Sequence, residues 1–159
     1  MLPEARRLGM GVLTWSPLAF GFLSGKYRRD LPLAATDHRP KHHPGKFEPE
    51  LPENVAKYDA VEKLIPLADD LGCTLPQLAV AFTVAHPGVT SVILGPRTPE
   101  QLEGLLKGAD LVLDDATLDR IDAIVPPGVD LYDPVGSHNR PSLTDPLLRR
   151  RPLGERAAA

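Results

Sequence analysis

Two short apolar runs in this chain each end in a turn rich in Gly, Pro and Ser, and helical patterns separate them. The first run is Met10 to Trp15, followed by SPLAFGFLSGKY. The second is Ser91 to Leu94, followed by GPRTPEQL. Two strands joined by a helical crossover favour a parallel pair with a right-handed connection. Their carboxyl ends then meet at one edge, where α/β proteins bind phosphate-bearing ligands.

The segment between the two runs has two helical patterns. Asn54 is a candidate N-cap for a helix over 55–71, which Gly72 ends and in which Pro66 predicts a kink. Thr74 caps the second helix, whose first turn contains Pro76. The side chains predicted to face inward recur at spacings of three and four. They are Val61, Leu64, Ala68 and Leu71, then Leu78, Ala79, Phe82 and Ala85.

Three further segments complete the expected order of elements. Residues 4–8 end a helix before Gly9, Thr98 caps a helix over 99–107, and Asp114 or Asp115 begins a last one. The apolar face of that last helix is Leu118, Ile121, Ile124 and Val125. Residues 28–53 form a long loop rich in Pro, His and Lys without periodicity. The folded part is predicted to cover 1–135, and 136–159 to be a disordered tail rich in Pro and Arg.

Together the two motifs resemble the last two strand ends of the aldo-keto reductases, a family of nicotinamide-dependent (β/α)8 barrels. The resemblance covers roughly Pro3 to Gly128. A complete barrel needs about 250 residues, whereas this chain has 159. The resemblance therefore implies an α/β fold that is the C-terminal sector of a TIM barrel, with two parallel strands and about four helices. By itself such a sector would be molten, aggregated or stabilised by association, because its inward side chains lack an opposing layer.

The first motif, by this resemblance, implies binding of NADP(H). Trp15 would stack on the nicotinamide, since a flat ring needs a flat partner, and Lys26 would add positive charge near the phosphates. The pyrophosphate would be lined by Ser16, Leu18, Gly21 and Leu23. The alternative for Trp15 is a buried core residue beside an ordinary turn.

The second motif resembles the family pattern Gly-x-Arg-x-x-x-Gln, and here it begins at Gly95. Arg97 and Thr98 would bind the adenosine 2′-phosphate, and Gln101 would contact the same phosphate or the adenine. The alternative for Arg97 is a solvated loop residue. The family then places Glu-Asn at the adenine, but this chain has Gly104-Leu105. Losing those side-chain hydrogen bonds weakens adenine recognition, by about 1–3 kcal/mol.

The family's reaction transfers a hydride to a carbonyl substrate and uses tyrosine, lysine, aspartate and histidine from earlier strands. Tyr27, Tyr58 and Tyr132 do not stand in that context, so no catalytic residue is assigned and enzymatic activity of this chain is left open. Three hypotheses follow. The chain is the cofactor-binding C-terminal part of an NADP(H)-dependent reductase, completed by an N-terminal barrel half or a homo-oligomer. Alternatively it is a module that binds a nucleotide or a partner protein, or a truncated non-catalytic remnant.

Composition restricts the kinds of partner that this chain is expected to bind. A net charge of −3 argues against nucleic acid, and no apolar run approaches the roughly 20 residues that span a bilayer. The single cysteine, Cys73, excludes an internal disulfide and favours the cytoplasm. The histidines at 38, 42 and 43 could imitate a metal cluster, but a solvated loop is favoured. The arginines at 149–151 are also predicted to be solvated.

Overall fold

A computed structural model describes residues 1–33, 37–131 and 140–157. The helices before the second strand are α1 (Leu2–Arg7), α2 (His38–His42), α3 (Pro52–Asp70) and α4 (Leu75–Val84). The strands are β1 (Leu13–Trp15) and β2 (Ser91–Ile93). After β2 come α5 (Pro99–Leu106), α6 (Asp115–Ile124), α7 (Pro141–Thr144) and α8 (Pro146–Arg149). Short 3-10 helices cover Ala19–Ser24, Pro44–Lys46 and Leu153–Glu155.

The two strands pair in parallel, as the sequence predicts, with Leu13 opposite Ser91 and Trp15 opposite Ile93. The continuous apolar run from Met10 to Trp15 predicts a strand buried on both faces, and this prediction is wrong for β1. Leu13 is 63% exposed and Trp15 81% exposed, whereas Thr14 between them is half-buried. Within the described ranges no further strand joins β1 or β2, so the face that carries Leu13, Trp15 and Ile93 has no layer packed against it.

Helices α3, α4 and α6 build the core. Val61, Leu64 and Ala68 of α3 are buried, as predicted, and pack in one cluster with Leu78 of α4 and Leu118 of α6. Phe82 was predicted to face inward, but it is 39% exposed. It lies on the side of α4 that lines an open cleft, so spacing alone assigned it to the wrong environment.

Side-chain hydroxyl or carboxylate groups cap the N-termini of α4, α5 and α6, in agreement with the sequence analysis. Thr74 Oγ1 accepts from Gln77 N while Gln77 Oε1 accepts from Thr74 N, which forms a complete capping box at α4. Thr98 Oγ1 caps α5 and Asp114 caps α6. Gly72 has φ +67°, which suits the left-handed residue that follows a helix. Local chemistry therefore sets these boundaries.

Asn54 is not the cap of α3. The helix begins at Pro52 after Leu51, and Asn54 lies in its first turn with no exposed surface. Its Nδ2 donates to the carbonyls of Gly45 and Glu48, so the amide fixes the end of the 28–53 loop. The phenol of Tyr58 donates to Phe47 O from one turn further along α3. The helix also continues through Pro66 to Asp70.

The structure describes residues 140–157 of the predicted tail, and we call them the C-terminal clasp. Its arginines pair with one face of α6: Arg149 with Asp122, Arg150 with Asp119 and Asp122, and Arg156 with Asp115. Arg151 donates to the carbonyls of Val84 and Val89. Arg149 was predicted to be solvated but is buried, and Arg156 is buried as well. The sequence did not reveal this, because the pairings join positions 27 to 41 residues apart. The domain boundary at 135 remains a prediction.

None of the helices in the described ranges combines the length and the apolar character that crossing a membrane requires.

Candidate functional site

The two Gly-rich turns lie at the same edge of the parallel pair. Trp15 and Ile93 are register partners at the last positions of β1 and β2. Ser16 follows Trp15 directly, and Gly95 comes two residues after Ile93. The structure thus brings the two predicted motifs together at the carboxyl ends of adjacent strands, the usual position of ligands in parallel α/β sheets.

The turn after β1 has an unusual backbone. Ser16, Ala19 and Phe20 have φ of 60°, 45° and 59°, and Gly21 has φ 102°. Left-handed non-glycine residues are costly and cluster at functional sites. Alternating left- and right-handed backbone can turn successive N–H groups toward an anion. We call residues 16–25 the phosphate loop, after the role that the family resemblance predicts for them.

Glycine at position 21 is favoured by its φ, and the space around it is tight. A Cβ there would lie 3.1 Å from Arg39 Nη1 and 3.4 Å from Tyr27 Cε2. Leu18 and Leu23 are half-buried, and the backbone N–H of Leu23 donates to Leu18 O at 3.2 Å. The predicted lining residues therefore form one compact turn, although two of its N–H groups, those of Gly21 and Leu23, bond to Leu18 O.

Lys26 lies at the end of the phosphate loop and is held by an ion pair. Its Nζ donates to Asp37 Oδ1 at 2.8 Å and lies 4.7 Å from the centroid of the Tyr27 ring. Partial burial lowers the pKa of Lys26, but the contacts with Asp37 and Tyr27 outweigh it, so the pKa is raised above 10.5. The ammonium is therefore fully charged at neutral pH.

Sequence reasoning missed the basic residues that the 28–53 loop brings to the phosphate loop. Arg39 Cζ lies 4.8 Å and Lys46 Nζ 5.2 Å from the centroid of the Phe20 ring. The His43 ring meets the edge of the same phenyl group at 5.4 Å. The excess of Lys, Arg and His in this loop was the available signal, but without periodicity it gave no position.

The turn after β2 is organised by Gln101. Its Oε1 accepts from Arg97 N at 2.8 Å, and its backbone N donates to Thr98 Oγ1 at 3.3 Å. Arg97 is exposed, and within the described ranges no carboxylate pairs with its guanidinium. A hydrogen bond with Thr98 holds the pKa of Glu100 below 4.5, with a smaller contribution from its own backbone.

The departure from the family pattern at Gly104-Leu105 has a packing role. Gly104 O accepts from Gln77 Nε2 at 3.0 Å, and Leu105 is buried. These residues therefore join α5 to α4. Neither offers a polar side chain to a ligand.

An apolar cleft of about 1010 Å³ begins beside the phosphate loop. Trp15, Ser16 and Phe20 line one end, and α3, α4 and α6 line its body. Burial raises the pKa of Tyr27 and of Tyr58 above 10.0, the opposite direction to a general acid that works near neutral pH. Tyr132 lies outside the described residues. The described part of the cleft thus offers shape and apolar surface, and we assign no catalytic residue in it.

The structure gives Cys73 and the loop histidines little support as reactive or metal-binding residues. Burial, and then Asp69, raises the pKa of the Cys73 thiol above 9.0, whereas reactive thiols need a lowered pKa. The imidazole rings of His38 and His42 lie 4.2 Å apart on α2. Within residues 1–33, 37–131 and 140–157, no three His, Cys, Asp or Glu side chains are grouped to hold a metal ion.

Comparisons with known proteins agree on one family. The model of the aldo/keto reductase family matches residues 1–126. A probable voltage-gated potassium channel subunit beta from Arabidopsis thaliana is 34% identical over 126 residues, which are 78% of this chain and 38% of that protein. The structure of a glycerol dehydrogenase from Gluconobacter oxydans superposes with a TM-score of 0.64 at 27% identity, covering 82% of this chain and 39% of the other. The chain thus spans under half the length of these relatives.

Proposed function

The chain belongs to the aldo/keto reductase family, and from that premise we propose that it is the NADP(H)-binding, C-terminal part of a reductase that transfers a hydride to a carbonyl substrate. The single observation that carries the proposal is the register of Trp15 with Ile93. It sets the phosphate loop beside the turn of Arg97 and Thr98, as one extended dinucleotide requires.

Each predicted residue has a role in this proposal. The exposed indole of Trp15 offers its face to the nicotinamide ring, and its 81% exposure leaves room for that ring. Ser16, Leu18, Gly21 and Leu23 shape the pyrophosphate site, and Lys26 supplies charge. Beyond Gly95, Arg97 binds the 2′-phosphate as a planar, permanently charged guanidinium. Thr98 and the first turn of α5 lie beside it. Gln101 acts on this phosphate by holding the Arg97 backbone.

We propose NADP(H) rather than NAD(H), because the charge of Arg97 favours a 2′-phosphate over a hydroxyl. The adenine is held weakly, since Gly104 and Leu105 are engaged between α4 and α5. The cofactor would supply the hydride at its nicotinamide ring, and the described residues of this chain bind and orient it.

We further propose that 1–135 is the C-terminal sector of a (β/α)8 barrel and that the exposed face of β1 and β2 is covered by the rest of the barrel. An N-terminal barrel half would supply that layer together with the acid–base residues for the carbonyl, whereas a second copy of this chain would supply the layer alone. The structural neighbour, of which this chain covers 39%, supports this proposal. A cytoplasmic location follows from the single cysteine.

The test is calorimetric titration of the whole chain with NADPH and NADH. We expect NADPH to bind more tightly, and Arg97→Met to remove that preference while leaving NADH binding unchanged. The matched control is Arg120→Met, an exposed arginine paired with Asp70 away from both motifs. The absence of NADPH binding in the wild-type chain, or a preference that survives Arg97→Met, would overturn the proposal.

Reductase activity separates the enzyme from a binding module. Size-exclusion chromatography with light scattering gives the mass of the species that binds NADPH. Turnover of an aldehyde by a species that contains only this chain would contradict the need for a partner. Binding without turnover, whatever partner is added, would favour the nucleotide-binding module.

A further inference from the structure

The Asp37 carboxylate forms an ion pair with the ammonium group of Lys26, which the phosphate loop would otherwise offer to its ligand. Both carboxylate oxygens of Asp37 approach Lys26 Nζ, at 2.8 Å for Oδ1 and 2.6 Å for Oδ2. The Asp37 side chain is only 13% exposed, while that of Lys26 is 40% exposed. The carboxylate of this pair is thus mostly buried, whereas the lysine side chain remains partly open to solvent.

The sequence position of Asp37 makes this contact informative. Asp37 is the N-cap residue of α2, where an aspartate side chain normally accepts from the backbone N–H groups of its own helix. Here the side chain makes no such bond within the described helix. It is directed to Lys26 instead, so the carboxylate serves the phosphate loop and not the helix.

Two further basic side chains of the 28–53 loop lie at the phosphate loop. Arg39, two residues after Asp37, stacks on Phe20 and approaches Gly21. Lys46 lies on the same phenyl ring. Among these cations Lys26 is the one that pairs with Asp37, so the carboxylate takes the place on the ammonium that a ligand phosphate would take.

We propose that Asp37 competes with the ligand phosphates for the Lys26 ammonium and so sets the nucleotide affinity of the phosphate loop. This inference rests on the proposed function. A phosphate that approaches Lys26 must share or displace the Asp37 carboxylate, and the two anions repel each other. Nucleotide binding and the Lys26–Asp37 pair therefore oppose each other. The pair keeps the loop ordered when no ligand is bound, and it lowers the affinity of the loop for the nucleotide.

The experiment is NADPH titration of four forms of the whole chain: wild type, Asp37→Asn, Lys26→Met and the double variant. We expect Asp37→Asn to tighten binding about fivefold, the size of effect of a partly exposed ion pair. In the Lys26→Met background the same substitution should give no such gain. Asp30→Asn is the matched control, because Asp30 lies on the same loop and pairs with Arg28 at 3.3 Å instead of with Lys26.

The outcomes separate this inference from the cofactor site itself. If the wild type binds NADPH and Asp37→Asn binds it equally or more weakly, the competition is contradicted, but the proposed cofactor site is not. An equal gain from Asp30→Asn, or a gain that persists without Lys26, contradicts it too. An absence of wild-type binding overturns the proposed function and this inference with it. Asp37→Ser repeats the comparison if the Asn variant does not fold.

Discussion

Gln101 Oε1 accepts a hydrogen bond from the backbone N–H of Arg97 at 2.8 Å. The glutamine that the family resemblance assigns to the cofactor is thus already engaged with the neighbouring cofactor residue. Its amide oxygen fixes the turn between β2 and α5. The NH2 group of the amide and the second lone pair of its oxygen remain for a ligand.

Gln101→Ala should therefore weaken NADPH binding through the turn. Losing one hydrogen bond that orders Arg97 costs about 1 kcal/mol, or roughly fivefold in affinity. Gln101→Glu keeps the acceptor but adds negative charge beside the 2′-phosphate, so it should weaken NADPH more than NADH. Calorimetry with both nucleotides measures this difference. Unchanged affinity in Gln101→Ala would show that the bond does not organise the site.

Asn54→Ala should destabilise the fold more than the loss of a helix cap would. Asn54 is fully buried, and its removal leaves the carbonyls of Gly45 and Glu48 without that donor. We expect the free energy of unfolding to fall by about 1–3 kcal/mol, as measured by urea denaturation. Thr74→Ala, which removes only the capping box of α4, should cost about 1 kcal/mol. A smaller cost for Asn54 than for Thr74 would contradict the structural role of the amide.

Removing one carboxylate from α6 should open the C-terminal clasp. Asp122 is 18% exposed and pairs with both Arg149 and Arg150, whereas Asp119 is 71% exposed and pairs with Arg150 alone. Asp122→Asn leaves two buried guanidinium groups without their shared partner, and we expect a loss of roughly 2–3 kcal/mol. Asp119→Asn makes the same charge change and should cost under about 1 kcal/mol. Thermal unfolding and proteolysis of the clasp measure the difference, and equal effects would refute it.

The fold should lose stability in alkali. Burial raises the pKa of Tyr58 above its ordinary value of 10.0, with further contributions from Glu50 and Tyr27. The unfolded chain then releases its phenolic proton at lower pH than the folded chain, so stability falls as pH rises from about 10. Urea denaturation at about pH 8 and about pH 11 should reveal this loss, and Tyr58→Phe should reduce it. A flat profile in the wild-type chain would contradict the burial argument.

Local chemistry made much of the fold predictable, and long-range pairing limited the rest. Thr74, Thr98 and Asp114 mark helix starts because each bonds to N–H groups within three residues. Asn54 carries the same signal, yet its partners are up to nine residues upstream, so the same residue type was misassigned. The sequence left open whether Trp15 is buried or binds a cofactor, because its burial depends on side chains packed against the sheet and not on its own strand.

The candidate site was likewise predictable where local motifs define it and unpredictable where long-range contacts do. Arg97 and Lys26 could be proposed from their motifs, since each belongs to a turn that follows a strand whose register is set by the sheet. Asp37 and Arg39 could not, because their approach to the phosphate loop depends on the path of the 28–53 loop. That path is fixed by aromatic packing: Phe22 stacks on Phe47 at 5.0 Å, across a separation that sequence patterns do not register.

The clasp also imposes an order on biosynthesis. The aspartates of α6 leave the ribosome before their arginine partners, and they form a row of like charges until those partners arrive. The clasp arginines then neutralise that row, and Arg151 ties the turn that leads into β2. A chain shortened before the clasp would lack these two bonds, so we expect the turn before β2 to be looser in it and more readily cut by proteases.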